Sequence, residues 1–331
     1  MNFTLNILGT ASALPTSDRY SSAHVLDVHG RLFLIDCGEG TQMQMRRMGI
    51  PFMKVDTVCL SHIHGDHIFG IFGLLSTMGM LGRTACLNIF APASFGAVLS
   101  FFLSTFGEGL RFRIEHHVLD SQEPEVIFQT RTTELLSFPL RHRIETYGFM
   151  VREKEPAFNV RKECIRKYGL SLAEIGTLKR GEDVVRPAGV DAGFSMEDGF
   201  VRHSGTGEPL VIPVSEAAYR PFRPRSYAYC SDTAPFPELA GWVRGVDLLY
   251  HEATYPSEMK DLAEKTFHST TEDAARCALE AGAGRLVIGH YSSRFRDLAP
   301  FLEQTRAIFP ESSLAHEGDV IEILLERAGK Q

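Results

Sequence analysis

The chain has 331 residues, of which 44% are hydrophobic and 23% charged, a composition that excludes a disordered polymer. A formal net charge of −7 excludes a nucleic-acid binder held by overall positive charge and leaves open a local basic surface. No apolar run reaches the roughly 18–20 residues of a membrane span, the start lacks a basic-then-apolar leader, and the six cysteines form no Cys-x-x-Cys pair, so a reduced, cytoplasmic protein is expected.

In chain order, Phe3–Leu8, His24–Val28, Arg31–Asp36, Thr57–Ser61 and Cys86–Ala91 read as strands, rich in Val, Ile, Leu and Phe and bounded by Gly, Pro or charge. Helical patterns lie between them at Gln42–Met48 and Phe69–Leu81. Strand patterns then dominate, at Glu125–Phe128, Glu134–Phe138 and Thr146–Val151. Residues 153–223 differ: they are polar, rich in Gly and Pro, and carry one convincing helix near Val160–Tyr168. Regular structure returns with strands at Ser226–Cys230, Val246–His251 and Leu286–His290, helices at Thr271–Ala281 and Leu298–Ile308, and a last strand at Val320–Leu325. Strands and helices in both halves around an irregular insert suit an α/β architecture, two sheets face to face with helices outside, the αββα sandwich.

The strongest chemical signal is Ser61-His62-Ile63-His64-Gly65-Asp66-His67, placed between an apolar strand and a helix. Imidazole nitrogen and carboxylate oxygen suit zinc, and no cysteine competes nearby. His62 and His64 stand two apart, so on an extended backbone they share a face. Asp66 and His67 follow on the turn, where they can address a second ion.

This is the His-x-His-x-Asp-His motif of the metallo-β-lactamase fold, and over residues 1–150 and 226–326 the chain resembles ribonuclease Z, the tRNA 3′-endonuclease family. Phe33-Leu-Ile-Asp-Cys-Gly-Glu-Gly-Thr-Gln42 resembles the family's first motif, with Asp36 as a support and not a ligand. Leu140-Arg-His-Arg143, Tyr229-Cys-Ser-Asp-Thr233 and Gly289-His-Tyr-Ser-Ser-Arg-Phe295 resemble the later ligand motifs. The resemblance implies two zinc ions per subunit, one on His62, His64 and His142, the other on Asp66, His67 and His290, with Asp232 between them. His251-Glu-Ala-Thr254 and His268-Ser-Thr270 resemble the family's pair of a proton-donating histidine, His268, and the glutamate that orients it, Glu252. A departing ribose oxygen is a poor leaving group unless protonated, which a positioned His can accomplish. Asp66, His268 and Glu252 form the expected catalytic set. Ser269 or Thr270 can also cap the following helix. His24, His29, His116, His117, His203, His251 and His316 are assigned no role.

The expected organisation is a single metallo-β-lactamase-fold domain over 1–331 with an arm inserted at about 153–223. The resemblance makes that arm the grip on the tRNA body, with Arg161, Lys162, Arg166, Lys167, Lys179, Arg180 and Arg186 set against Glu163, Glu174, Glu182 and Asp183. Two features depart from the family. Leu170-Ser-Leu-Ala-Glu-Ile replaces a Gly-Pro motif. Pro15-Thr-Ser-Asp-Arg-Tyr20 has Ser17 and Tyr20 where bacterial members place Lys and Asn. The implied activity is removal of 3′ trailers from precursor tRNA by a zinc-dependent hydrolase, a homodimer without membrane contact. The alternatives are a phosphodiesterase for small or cyclic esters and, from another class, a non-catalytic RNA- or protein-binding module.

Overall fold

The computed structural model describes residues 2–187 and 209–327; His203 and the middle of the insert lie outside them. The chain forms two compact units, Met1–Glu153 with Arg225–Leu324, and Lys154–Pro224 with Leu325–Gln331.

The larger unit contains two seven-stranded sheets. The first runs Val320–Glu322, Phe3–Gly9, Ala23–Val28, Arg31–Ile35, Val55–Cys59, Leu87–Pro92, Ile114–Leu119; the second runs Ser312–Leu314, Arg285–Gly289, Leu248–Glu252, Ser226–Cys230, Thr146–Glu153, Thr133–Leu140, Glu125–Gln129. Alternation decides which face of each strand goes where. Phe3, Leu5 and Ile7 of the first sheet share one core with Phe149, Val151, Tyr227, Tyr229 and Tyr250 of the second, so these faces meet. On the outer face of the first sheet, Leu8, Val25, Leu34, Val58 and Ile89 pack with Met45, Ile71, Leu74 and Leu99 of the helices Thr41–Arg47, Gly65–Met80 and Phe95–Phe106. On the outer face of the second, Ala228, Leu249 and Leu286 meet Ala274, Ala275, Ala278 and Ala281, an all-alanine stripe that lets the helix Thr271–Ala281 lie close to the sheet. Helix, sheet, sheet, helix is the layer order.

Each sheet changes from antiparallel to parallel pairing partway across. Arg31–Ile35, Val55–Cys59 and Leu87–Pro92 are parallel, as are Ser226–Cys230, Leu248–Glu252 and Arg285–Gly289. Parallel strands bring their carboxyl ends to one edge, where loops collect side chains for chemistry. Asp36, the His62–His67 segment, Asp232, Glu252 and His290 all stand at or just beyond such ends.

Three expectations need correction. The helix read as Phe69–Leu81 begins at Gly65, inside the motif, with extended His64 as its N-cap and Asp66 in its first turn, where the helix dipole favours a carboxylate. The strand read as Thr57–Ser61 ends at Cys59, which leaves the following residues free to leave the sheet plane. The smaller unit carries a second well-formed helix, Leu172–Lys179, beside Lys162–Tyr168. Its signal was present as Ser171-Leu-Ala-Glu174, a capping box in which each side chain bonds the other's backbone N–H. Cys164, Leu170, Leu178, Val184, Ile212 and Ala217 give this unit its own small core.

Glu153 and Arg225, the sandwich residues on either side of the insert, are joined by a buried ion pair. Arg225 donates from Nε to Oε2 at 3.0 Å and from a terminal nitrogen to Oε1 at 2.8 Å, and its backbone N–H bonds Oε2 at 2.9 Å. Burial opposes the charge on Glu153, but the Arg225 bonds outweigh it and hold the carboxyl below its usual range. Arg225→Ala takes the guanidinium from a buried carboxylate and leaves it His29 Nε2 at 2.6 Å and the backbone N–H, which should cost about 3–5 kcal/mol in urea unfolding. A native pKa below the ordinary value of about 4.3 means that the pair's contribution is present above that value and fades as pH falls through the lowered one. The stability gap between wild type and Glu153→Gln should therefore narrow from about pH 7 to about pH 3; a constant gap contradicts the assignment.

Candidate metal centre

His62, His64, His142 and Asp232 form one convergent group, and Asp66, His67 and His290 a second. His62 Nε2 and His64 Nδ1 are 3.0 Å apart, and His64 Nδ1 and His142 Nε2 3.4 Å. Asp232 divides its carboxylate between the groups. Oδ2 stands 3.6 Å from His62 Nε2 and 3.8 Å from His142 Nε2, whereas Oδ1 stands 3.4 Å from His67 Nε2 and 3.1 Å from His290 Nε2. Asp66 Oδ2 lies 3.5 Å from His67 Nε2 and 3.6 Å from His290 Nε2.

These separations can be tested against a metal. Four donors about 2.0–2.1 Å from a tetrahedral zinc ion stand about 3.3–3.4 Å from one another, close to the values observed in both groups. His67 Nε2, His290 Nε2 and Asp232 Oδ1 are buried and have no hydrogen-bond partner among the described residues, despite their proximity. Each such orphan costs about 1–3 kcal/mol in a chain that nothing else satisfies. Lone pairs aimed at a shared point rather than at each other are what a cation needs. Burial, reinforced for His62 by its histidine neighbours, lowers the pKa of His62, His64 and His142, which keeps their rings neutral for ligation. His67 runs the other way: burial is outweighed by Asp232, Asp66 and Asp36, which draw a proton that a cation would displace.

The rings are held from behind. Asp36 is fully buried, and its Oδ2 accepts from His67 Nδ1 at 2.8 Å, Ser61 Oγ at 2.9 Å and Tyr229 Oη at 2.6 Å, while Oδ1 accepts from Ser61 N at 2.7 Å. His142 Nδ1 donates to the Phe267 carbonyl at 2.9 Å, and Asp66 Oδ2 accepts from Ala13 N at 2.7 Å. Such second contacts fix which nitrogen faces the metal. The non-glycine residues with left-handed backbone among those described are Ala13, His29, Asp36, Phe267 and His290, and all but His29 belong to this site. Strain concentrated there is the pattern of a site built for function.

Glu252 organises the second feature. Oε1 accepts from His268 Nδ1 at 3.0 Å, Ser269 N at 2.8 Å and Thr233 N at 3.1 Å; Oε2 accepts from Thr254 N at 2.9 Å and Thr254 Oγ1 at 2.8 Å. Burial opposes its charge, but His268 and the other donors outweigh it and hold the Glu252 carboxyl well below its usual range. Burial likewise opposes charge on His268, but the Glu252 carboxylate raises it to about 9. The His268 ring lies 5.1 Å from that of His142 and 5.5 Å from that of His290. It also groups with Asp232 and His290 at ligand spacing. Thr270, rather than Ser269, caps the next helix, in a capping box with Asp273.

A cavity of about 770 Å³ opens on the cluster, with His64, Asp66, His142, Asp232 and His268 in its walls. All the proposed site residues are thus brought to one place. Sequence reasoning missed the supporting contacts of Ser61, Tyr229, Ala13 and Phe267. It also gave no role to Thr254, although the motif containing it was recognised. His251 is buried with its ring bonded to the Glu252 carbonyl at 2.7 Å, a structural placement. In the smaller unit, Arg186 is paired with Glu174, Arg180 with Glu182 and Lys167 with Glu216, so these cations of the expected basic surface are already engaged.

Two family models match parts of the chain: the Anti-Pycsar protein Apyc1 over residues 3–106 and the beta-lactamase superfamily domain over residues 222–291. Ribonuclease Z of Bacteroides thetaiotaomicron is 38% identical over 322 residues, which are 97% of this chain and 95% of the relative. Ribonuclease Z of Parabacteroides distasonis is 39% identical, over 96% of this chain and 98% of the relative. Among solved structures, the short form of human tRNase Z superposes with a TM-score of 0.67 at 23% identity, covering 97% of this chain and 99% of that one. The metallo-beta-lactamase fold protein YhfI from Bacillus subtilis gives 0.64 at 17% identity, over 97% and 100%. These two structures share the fold.

Thr254 Oγ1 accepts from His290 Nδ1 at 2.9 Å and passes its own hydrogen to Glu252, so one hydroxyl links a ligand ring to the His268 support. Thr254→Val should weaken divalent-metal affinity about 10–100-fold, read by competition with a chelator. Unchanged affinity would show that something else orients His290.

Proposed function

Because the chain belongs to the ribonuclease Z family and has the metallo-β-lactamase fold, we propose that it works as a two-zinc endoribonuclease with His268 as its proton donor. It is a phosphodiester hydrolase that removes 3′ trailers from precursor tRNA, and its His/Asp cluster is a divalent-metal site. The observation that carries the two-ion reading is the divided carboxylate of Asp232, with one oxygen toward each donor group.

Zinc on His62, His64 and His142, and on Asp66, His67 and His290, with Asp232 shared, is supported by the near-tetrahedral spacing of the donors and the orphaned buried atoms. Bound there, two ions would supply Lewis acidity toward the phosphodiester oxygens and lower the pKa of water. The chain's own groups do the rest. His268 Nδ1 is held by Glu252, which leaves Nε2 to deliver a proton to the departing 3′ oxygen of the tRNA. The raised pKa keeps that proton in place at neutral pH. Asp66 belongs to the catalytic set as the ligand carboxylate in the cavity wall, oriented by the Ala13 amide.

The reading extends to the inserted arm as an RNA-binding element. Lys162, Arg166 and Lys179 have no acidic partner at ion-pair distance among the described residues, and they are the cations proposed to meet phosphates. A homodimer is proposed from the family resemblance, and a cytoplasmic location from six cysteines that are all free. Among the described residues no helix is long and apolar enough to cross a membrane.

His268→Ala should slow precursor tRNA cleavage by roughly a hundred-fold or more, within the usual 10²–10⁴ worth of a positioned acid, with metal content unchanged. Bis-p-nitrophenyl phosphate, whose leaving group needs no proton, should be far less sensitive. Equal losses on both substrates, or loss of metal with the side chain, would reassign His268 to the ligand group it forms with Asp232 and His290.

A further inference from the structure

The cavity wall mixes serines, carboxylates, imidazoles and the guanidinium residues Arg143 and Arg294 with apolar side chains. Phe69 and Leu14 are large apolar side chains in that wall, and their accessibilities are 65% and 64%. One exposed apolar side chain is ordinary on a protein surface. Two large ones beside charged groups in one cavity wall, Phe69 two residues after His67 and Leu14 next to Ala13, call for an explanation.

Each is held there by backbone. Phe69 lies in the first turns of the helix that starts at Gly65, and a Cβ at Gly65 would run into its ring. The ring therefore rests on bare backbone beside His64 and Asp66. Leu14 follows Ala13, which adopts a left-handed φ of 58° while its amide holds Asp66 at 2.7 Å. The strained turn thus orients a ligand and presents an apolar side chain to the same space.

We propose that Phe69, with Leu14 in the same wall, is a stacking platform for a nucleobase adjoining the scissile phosphate. The inference rests on RNA being the substrate. A phosphodiester held at the cluster places a base within the cavity, and an aromatic face binds any base through its π-surface while cations address the phosphates. Because stacking tolerates every base, the platform would position the strand without reading its sequence.

The test is a cycle between protein and substrate. Precursor tRNA is made intact and with an abasic residue at either nucleotide flanking the cleavage site, and each is cut by wild type, Phe69→Leu and Phe69→Trp. Stacking of one base predicts that Phe69→Leu raises KM on intact precursor roughly 5- to 150-fold at unchanged metal content. Phe69→Trp should recover most of the loss. With the coupled base removed, wild type and Phe69→Leu should converge. Losses that multiply at both abasic positions, or a Trp variant no better than Leu, overturn the platform. Failure of the wild type to cut intact precursor overturns the RNA reading beneath it, and is visible before any variant is compared.

Discussion

The site depends on one fully buried carboxylate, Asp36, whose two oxygens collect donors from both ends of the histidine motif and from the other sheet. Ser61 anchors the entry to the histidine motif, His67 lies on the helix that follows it, and Tyr229 reaches across from the other sheet. Burial and the nearby Asp36 charge push the Tyr229 phenol well up, so it remains a donor. An isolated charge in such a place would be costly, and it is tolerated because every nearby polar group points at it. Its left-handed φ of 55° adds strain, which the surrounding bonds hold. From this contact follows the direction of His67, and with it the alignment of donors in the second group.

Glu252 repeats the design on the opposite sheet. It too is completely buried, accepts from backbone and side-chain donors, and fixes one nitrogen of a histidine so that the other is free. Thr254 connects this carboxylate to His290, so metal ligation and proton delivery share a support. A disturbance at either end should be felt at the other, because hydrogen bonds in a buried chain polarise one another.

Much of this was legible in the sequence because the chemistry is local. Three imidazoles and a carboxylate within the His62–His67 segment, placed between an apolar strand and a helical pattern, can hardly be anything else. The strands were readable because both faces of each sheet are covered, so they stand out as short runs rich in Val, Ile, Leu and Phe. Boundaries were less readable near the metal: Gly65 reads as a breaker, yet it starts a helix because the motif's turn and the Phe69 ring need its missing side chain. The helix Leu172–Lys179 carried a capping box, but a Gly inside and a weak apolar stripe masked it. Least legible were the contacts between distant segments. Nothing in the composition marks Ala13 or Phe267 as left-handed, and Ala13 meets Asp66 across 53 residues of chain. Such positions are set by tertiary structure, which overrides local preference.

The central claim is that Asp232 serves two metal sites at once. Elemental analysis of wild type and of Asp232→Ala, each purified without added metal, tests it most directly. The account predicts close to two zinc ions per chain in wild type and loss from both sites in the variant, because each donor group gives up its shared oxygen. An Asp232→Ala protein that remains fully metallated would contradict it.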